Sequence, residues 1–409
     1  MMIKKSEMRE LMKDSSCEHA QKQKPACNAP TPGATTGGCA FEGSQLALFP
    51  YADAAHLVHG PATCLAASWE TRATQTRWQG RDLTQTGFTT DVRLNDIIFG
   101  GEEKLTKAVT YILDHYRPEG IFVYATCVTA MIGDDLDLVC RKVAEKTNIP
   151  IIPVHSPGFL GGKNLGSRLG ADAVFKHLIG TKEPAFLTPY DINLIGEYNV
   201  TGDMWQYLPL LEELGIRVLS TWISLSFYGK RDTSDGLLAI AEALGDERLV
   251  ANTKALIRRE ELKLDEQLKP YLELFQGKKA VLNTGGNKSW SIAAALQDLG
   301  LKVVATSVRK ATEDDKAKAR QYLGEDAVLM ENPGNEQAQI IEKEKADILL
   351  AGGRSLYTAL KKRISFIDVN QEKKKSYGGY TGLLALAEDI KNSLENPVFK
   401  LAGKKAPWE

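Results

Sequence analysis

No cysteine lies beyond Cys140 and no histidine beyond His177, so more than half of the 409-residue chain offers no soft metal ligand. Thiolate or imidazole chemistry from this chain therefore belongs to its first part. A compact C-x-x-C pair is also missing, and with it any local signature of a metal site. No apolar run approaches the length of a membrane span, and the opening MMIKKSEMRELM lacks the apolar centre of a secretion signal. The expectation is a cytoplasmic protein with no membrane partner. In that reducing compartment six cysteines suggest metal ligands or core thiols rather than disulfides. Excess charge of one sign is lacking as well. A net charge of -1 argues against nucleic acid or an acidic membrane surface as the main partner.

What is present is enough hydrophobic residue, 43% of the chain, to bury large cores in two or three domains. Three cysteines stand at the mouths of loops. Cys39 follows Gly37 and Gly38, Cys64 follows the Gly60-Pro61 turn, and Cys127 comes where the apolar run Ile121 to Tyr124 stops. Glycine lets a backbone approach a bulky inorganic group, and loops at strand ends are where open α/β sheets place ligands. A cubane iron–sulfur cluster takes four thiolates that need not be close in sequence. With three well-placed thiols here, a fourth would come from another chain and put the cluster at a subunit interface. The same spacing suits three ordinary buried cysteines, because free cysteine is among the most buried residue types. Spacing alone leaves both readings open.

Residues 1–38 read as a polar, irregular arm carrying Cys17, His19 and Cys27, either an exposed tail with incidental thiols or a transient capture site for a metal cluster. Regular structure follows. Lys104 to Tyr116 has helical periodicity, Gly120 to Thr126 is a short apolar strand, and MIGDD opens a second helix with Asp134 and Asp135 in its first turn. IPIIPVHS is the next strand, which makes a β-α-β crossover and a parallel sheet with Cys127 at a strand's carboxyl end. Cys140 shares a helix face with Leu136 and Val143 and is assigned to the core. The loop Ser156 to Gly166, with Lys163 and Asn164, would bind an anion, approach a cluster, or serve as a plain turn into a helix from Arg168 to Ile179.

Thr181 to Pro189 looks like a linker. The expected division is an arm at 1–38, a cluster-bearing domain I at 39–182, a shortened α/β domain II at 183–277 and a flavodoxin- or Rossmann-like domain III at 278–409. In domain II, DINLIGEYNV and IRVLSTWIS are strands flanking a helix from Asp203 to Leu214, and the second strand runs almost directly into the helix from Thr233 to Leu244. In domain III, KAVLNT, LKVVATSV, AVLME, DILLAGG and ISFIDVN alternate with helices at Asn287 to Gly300, Glu313 to Leu323 and Asn335 to Lys345, a doubly wound pattern. The loops Thr284 to Asn287 and Ala351 to Arg354 would aim backbone donors at one rim. The basic runs Lys361 to Arg363 and Lys373 to Lys375 read as solvated surface.

Set side by side, PGATTGGCAFEGSQLAL, DAAHLVHGPATC, TGFTTDV, YATCVTAMIGDDLD, PGFLGGKNLG, YDINLIGEYNV, TGGNKSW and ILLAGGRSLYTALK resemble the NifE-type α subunits of the nitrogenase cofactor scaffold, within the nitrogenase component 1 family. The likeness runs from about Cys17 to Trp408. It implies three α/β domains, the second shortened here, and an α2β2 complex with a NifN-type β subunit. It also implies a [4Fe-4S] cluster at each α–β interface, held by Cys39, Cys64 and Cys127 with the fourth ligand from the partner. The implied function is to receive an 8Fe cofactor precursor from the radical enzyme NifB. With electrons from the nitrogenase iron protein, the scaffold takes up molybdenum and homocitrate and passes the product to apo-nitrogenase component 1.

One departure matters. In the family several dozen residues, including the cysteine expected to dock the precursor, separate the strand matching IRVLS from the SFYG turn, whereas Ser220 here is followed at once by TWISLSFYG. The gap reads as a deletion or a junction of two pieces, ahead of a lineage that binds the precursor differently. After the three interface thiols only Cys17, Cys27 and Cys140 remain, and Cys27 is the candidate for precursor docking. A catalytic nitrogenase α subunit or a tetrapyrrole reductase is the competing enzyme reading. The lack of any histidine after His177 opposes the nitrogenase form, since the catalytic cofactor needs one from the later domains. A sugar- or nucleotide-binding α/β module with incidental thiols is the other alternative, and it would be colourless.

Overall fold

The computed structural model describes residues 38–402 except 50, 52, 70–76, 79–80, 83–86, 182, 197–202, 224–226, 285–287, 309–310, 312, 326 and 371–374. The chain divides into two units at Phe186 and Leu187, inside the stretch read as a linker.

In the first unit the strands are β1 (Ala54–His59), β2 (Arg77–Trp78), β3 (Arg81–Asp82), β4 (Gly87–Thr89), β5 (Gly120–Ala125) and β6 (Ile151–Val154). The helices are α1 (Ala40–Leu48), α2 (Ala62–Trp69), α3 (Leu94–Phe99), α4 (Glu102–Tyr116), α5 (Cys127–Ile132), α6 (Leu136–Thr147) and α7 (Lys163–His177). Every residue of β1, β5 and β6 is buried, as expected of parallel strands covered on both faces. They form an all-parallel sheet in the order β4-β1-β5-β6, with β2 and β3 as a separate antiparallel pair. Helix α4 buries Leu105, Val109 and Ile112, spaced to share one helical face, against Leu57 and Val123 of the sheet. Helix α6 adds Leu136, Val139 and Val143 to that core, and Cys140 sits among them at 1% exposure.

Two helical starts differ from expectation. Cys127–Ile132 is itself a short helix, so the turn that opens α6 is confined to Gly133 to Asp135, and Asp135 caps α6 by accepting the N–H of Leu138. Helix α7 begins at Lys163, which takes the second half of the glycine-rich loop into the helix. The early start serves packing, because α1 and α7 touch backbone to backbone. A Cβ on Gly166 would stand 1.8 Å from the carbonyl oxygen of Ala40, and one on Gly43 would stand 2.0 Å from that of Lys163. Gly166→Val is therefore expected to force α1 off α7, lowering stability by about 1 to 3 kcal/mol in a denaturant titration. Wild-type stability would show that the two helices are not held at that contact.

In the second unit β7 (Asp191–Gly196) and β8 (Arg217–Ile223) form a two-stranded parallel sheet, the short sheet expected of the shortened domain. Arg217 binds Asp191 across it, with Nε 2.8 Å from Oδ1 and Nη2 2.6 Å from Oδ2. After α8 (Leu208–Glu213) come α9 (Gly229–Leu244) and α10 (Glu247–Phe275), the latter 29 residues long. A five-stranded parallel sheet follows, from β9 (Lys279–Asn283), β10 (Lys302–Ser307), β11 (Val328–Met330), β12 (Ile348–Ala351) and β13 (Ser365–Asp368). Its order, β11-β10-β9-β12-β13, puts the first strand in the centre and is that of a doubly wound fold. The helices between and after these strands are α11 (Lys288–Asp298), α12 (Glu313–Leu323), α13 (Pro333–Glu344), α14 (Leu356–Lys362), α15 (Gly379–Glu395) and α16 (Pro397–Leu401). No helix among the described residues is long and apolar enough to cross a membrane.

Candidate metal centre

The strand order of the first unit decides where its loops go. From β1 the chain turns out to β4, then crosses back to β5 on the other side of β1 and continues to β6. The segments leaving the carboxyl ends of β1 and β5 thus part company at a switch point, where a crevice opens. The first carries Gly60, Pro61 and Cys64; the second carries Thr126 and Cys127.

Each of the three cysteines stands at the start of a helix. Cys39 is the N-cap of α1, Cys64 lies in the first turn of α2, and Cys127 is the first residue of α5. Helix N-termini favour negative charge, which suits thiolates and anionic clusters alike. The backbone of Cys39 pairs with that of Gly162, drawing the Ser156 to Gly166 segment onto it. Gly158 in that segment marks the point of convergence. A Cβ there would lie 3.0 Å from Sγ of Cys127 and 3.1 Å from Sγ of Cys39, so the two sulfurs are separated by no more than the sum of these, about 6 Å. Cys64 completes the group: burial, and then the nearby Cys127 and Cys39, push its thiol above the ordinary range. An iron centre would reverse that effect on Cys64, because the metal's own charge deprotonates its ligands.

The thiols are also accessible, Cys127 exposed and the other two half-buried. Among the described residues no three His, Cys, Asp or Glu side chains close on a single ion. A polynuclear cluster binds each thiolate through a different iron, so its ligands can come from separate loops of the chain. The thiols of Cys39 and Cys127 gathered over Gly158, with Cys64 near both and none of the three fully buried, are a donor set that fits a cubane lacking one ligand from this chain.

Comparison with known proteins decides the family. The model of the nitrogenase component 1 type oxidoreductases matches residues 39–224 and 220–395. The chain belongs to the nitrogenase component 1 family. Within it the chain is 44% identical to the nitrogenase iron-molybdenum cofactor biosynthesis protein NifE of Rippkaea orientalis, over all of this chain and 97% of that one. To the NifE of Klebsiella pneumoniae it is 42% identical, over 99% of this chain and all of that one. A solved structure titled nitrogenase Cp1 at pH 5 shares the fold, with a TM-score of 0.77 at 22% identity over 95% of this chain and 94% of that one. Membership of the component 1 family implies iron–sulfur cluster binding and a partner complex. The alignment to the Rippkaea protein runs 457 positions against 409 residues, an excess of 48, and the family model breaks at 220–224. The two family-model matches meet at 220–224, where the sequence reading places the missing segment.

Other candidates fare differently. Lys163 is paired with Glu42 at 2.6 Å across the α1–α7 contact, so its charge is already met. In the basic runs, Lys362 pairs with Glu342, and Lys375 with Glu388 and Asp389 at 2.9 and 3.0 Å. Cys17, His19, Cys27, Lys373 and Lys374 lie outside the described residues. Burial pushes the Cys140 thiol up to about 12, which makes it inert.

Two features escaped the sequence reading. Helix α3 displays Leu94, Ile98 and Phe99 at 70, 62 and 85% exposure and packs on α5, whose Met131 is 79% exposed. Exposed apolar side chains gathered on the helix that Cys127 opens and on its neighbour are of the kind that mark interaction surfaces. The second is a buried polar network around His59 and Asp134. Its signal was a histidine closing a fully buried strand, since such a residue must find polar partners.

Proposed function

We propose that this chain is the α-type scaffold subunit in assembly of the nitrogenase iron–molybdenum cofactor, with a [4Fe-4S] cluster on Cys39, Cys64 and Cys127. The observation that carries this reading is the approach of Cys39 and Cys127 over Gly158, with Cys64 close enough to both for them to raise its thiol. The fourth ligand comes from a NifN-type β subunit, in an α2β2 assembly that covers the apolar face of α3 and α5. When bound, such a cluster supplies a one-electron relay. The chain's own part is to hold three thiolates at helix starts, to exclude water with the apolar rim, and to leave one edge open to the partner.

The scaffold then holds an 8Fe precursor delivered by NifB while molybdenum and homocitrate are inserted with electrons from the nitrogenase iron protein. It finally releases the product to apo-nitrogenase component 1. Holding cargo for release favours few strong ligands, and a chain without the segment after Ser220 has fewer still. Cys27 is proposed as the docking thiolate, and residues 183–277 and 278–409, each with its own sheet, as separate domains II and III.

Anaerobic co-purification with the β-type partner, iron counting and a precursor-loading assay test this reading. A brown complex with about four irons per αβ pair supports it, and a colourless protein discards it. Cys27→Ala is expected to abolish precursor loading while leaving that iron in place. Unchanged loading removes Cys27 from the site.

A further inference from the structure

Two buried titratable side chains on the segments that carry Cys64 and Cys127 have no part in the ligand set. His59, the last residue of β1, is fully buried, and the Asp134 side chain is 3% exposed. Nε2 of His59 lies 2.9 Å from Oδ2 of Asp134, whose Oδ1 accepts the N–H of Gly101 at 2.9 Å. Across the ring, Nδ1 lies 3.1 Å from Oγ1 of Thr90, and that oxygen accepts the N–H of Gly60 at 3.1 Å. With a neutral imidazole one proton placement satisfies every contact: Nε2–H donates to Asp134 and Nδ1 accepts the Thr90 hydroxyl. The main chain joins in. The carbonyl of His59 accepts the hydroxyls of Thr126 and Thr129 at 3.0 and 2.9 Å.

These contacts link the two segments that diverge at the switch point. Cys64 follows His59 by five residues, and Cys127 lies seven before Asp134. The junction is tight: a Cβ on Gly101 would fall 2.6 Å from Oδ2 of Asp134 and 2.9 Å from Cε1 of His59. We propose that the His59–Asp134 pair is a cross-brace that positions Cys64 against Cys127, and that its carboxylate sets the reduction potential of the cluster they hold. The second half rests on the cluster reading above. A buried negative charge near a site that gains an electron disfavours reduction, and water does little to screen it there.

The test uses the complex with its β-type partner, purified without oxygen, as wild type, Asp134→Asn, Thr90→Val, Thr90→Ser and Cys64→Ala. Bound iron and the midpoint potential, followed by electron paramagnetic resonance, are the readouts. Asp134→Asn removes the charge and keeps the brace: the amide oxygen accepts from Gly101, the NH2 donates to Nε2 of the other imidazole tautomer, and Nδ1–H then donates to Thr90, so iron stays and the potential moves upward. Thr90→Val leaves the imidazole nitrogen without its hydroxyl, and is expected to lose iron and broaden the spectrum, while Thr90→Ser restores both. A wild-type potential in Asp134→Asn, or identical behaviour of Thr90→Val and Thr90→Ser, overturns the proposal. Wild-type protein without iron that depends on Cys64 defeats the cluster reading instead. The brace is then read on the metal-free chain, by the yield with which a short bifunctional maleimide links Cys64 to Cys127. That yield falls in Thr90→Val and recovers in Thr90→Ser; equal yields overturn it.

Discussion

Cys127→Ala is expected to strip the iron from the anaerobic αβ complex, from about four atoms per pair to nearly none, and to weaken the association of the two subunits. Cys39→Ala and Cys64→Ala should do the same. The reason is geometric: a cubane held by three thiolates of one chain and one of another is a cross-link, so losing a ligand removes the cluster and the bridge together. The variant isolates that effect because Cys127 is exposed at the start of a helix and contributes no core packing. Its circular dichroism and denaturation midpoint as a separate subunit should match the wild type. Cys140→Ala is the converse control. Cys140 is 1% exposed within the core of the first unit, so that change should cost stability, about 1 to 2 kcal/mol, and no iron. A single-site variant of the three that keeps full iron would sink the ligand assignment.

The strands could be read from the sequence because each is a short apolar run bounded by turn residues. Val281, Leu282, Leu349 and Leu350, all fully buried, lie in such runs. Helix α10 escaped the reading although its buried Leu249, Leu256, Leu264, Leu268 and Phe275 recur at helical spacing, because Pro270 sits inside it. A proline within a helical pattern normally argues for an end, and here tertiary packing overrides it. The thiol group was legible as three loop-mouth cysteines, but its closeness was not. It depends on Gly158, nineteen residues past the core position Val139, and on a strand order that no local pattern encodes. The His59–Asp134 contact spans 75 positions, and Asp134 taken alone read as an ordinary first-turn acid. Only the sheet brings the two together.

A second large effect is expected in the other unit. Asp232, in the first turn of α9, is 7% exposed; Oδ1 accepts the hydroxyl of Tyr322 at 2.9 Å, and Oδ2 has no hydrogen-bond partner among the described residues. Burial pushes its carboxyl from 3.8 up to about 6, against the pull of Tyr322 and Arg231, while nearby Asp298 is also raised by burial. A folded state that binds the proton more tightly than the unfolded chain loses stability as pH rises from about 4 through about 6, and above that carries the full cost. For a shift of this size the cost is about 3 kcal/mol. Asp232→Asn keeps an acceptor for Tyr322 and carries no charge, so it should raise the unfolding free energy at pH 7.5 by about 2 to 3 kcal/mol and change little at pH 4. Denaturant titrations at the two pH values check this. A packing change would shift both by the same amount, so an equal difference at pH 4 and pH 7.5 would rule out the buried charge as its source.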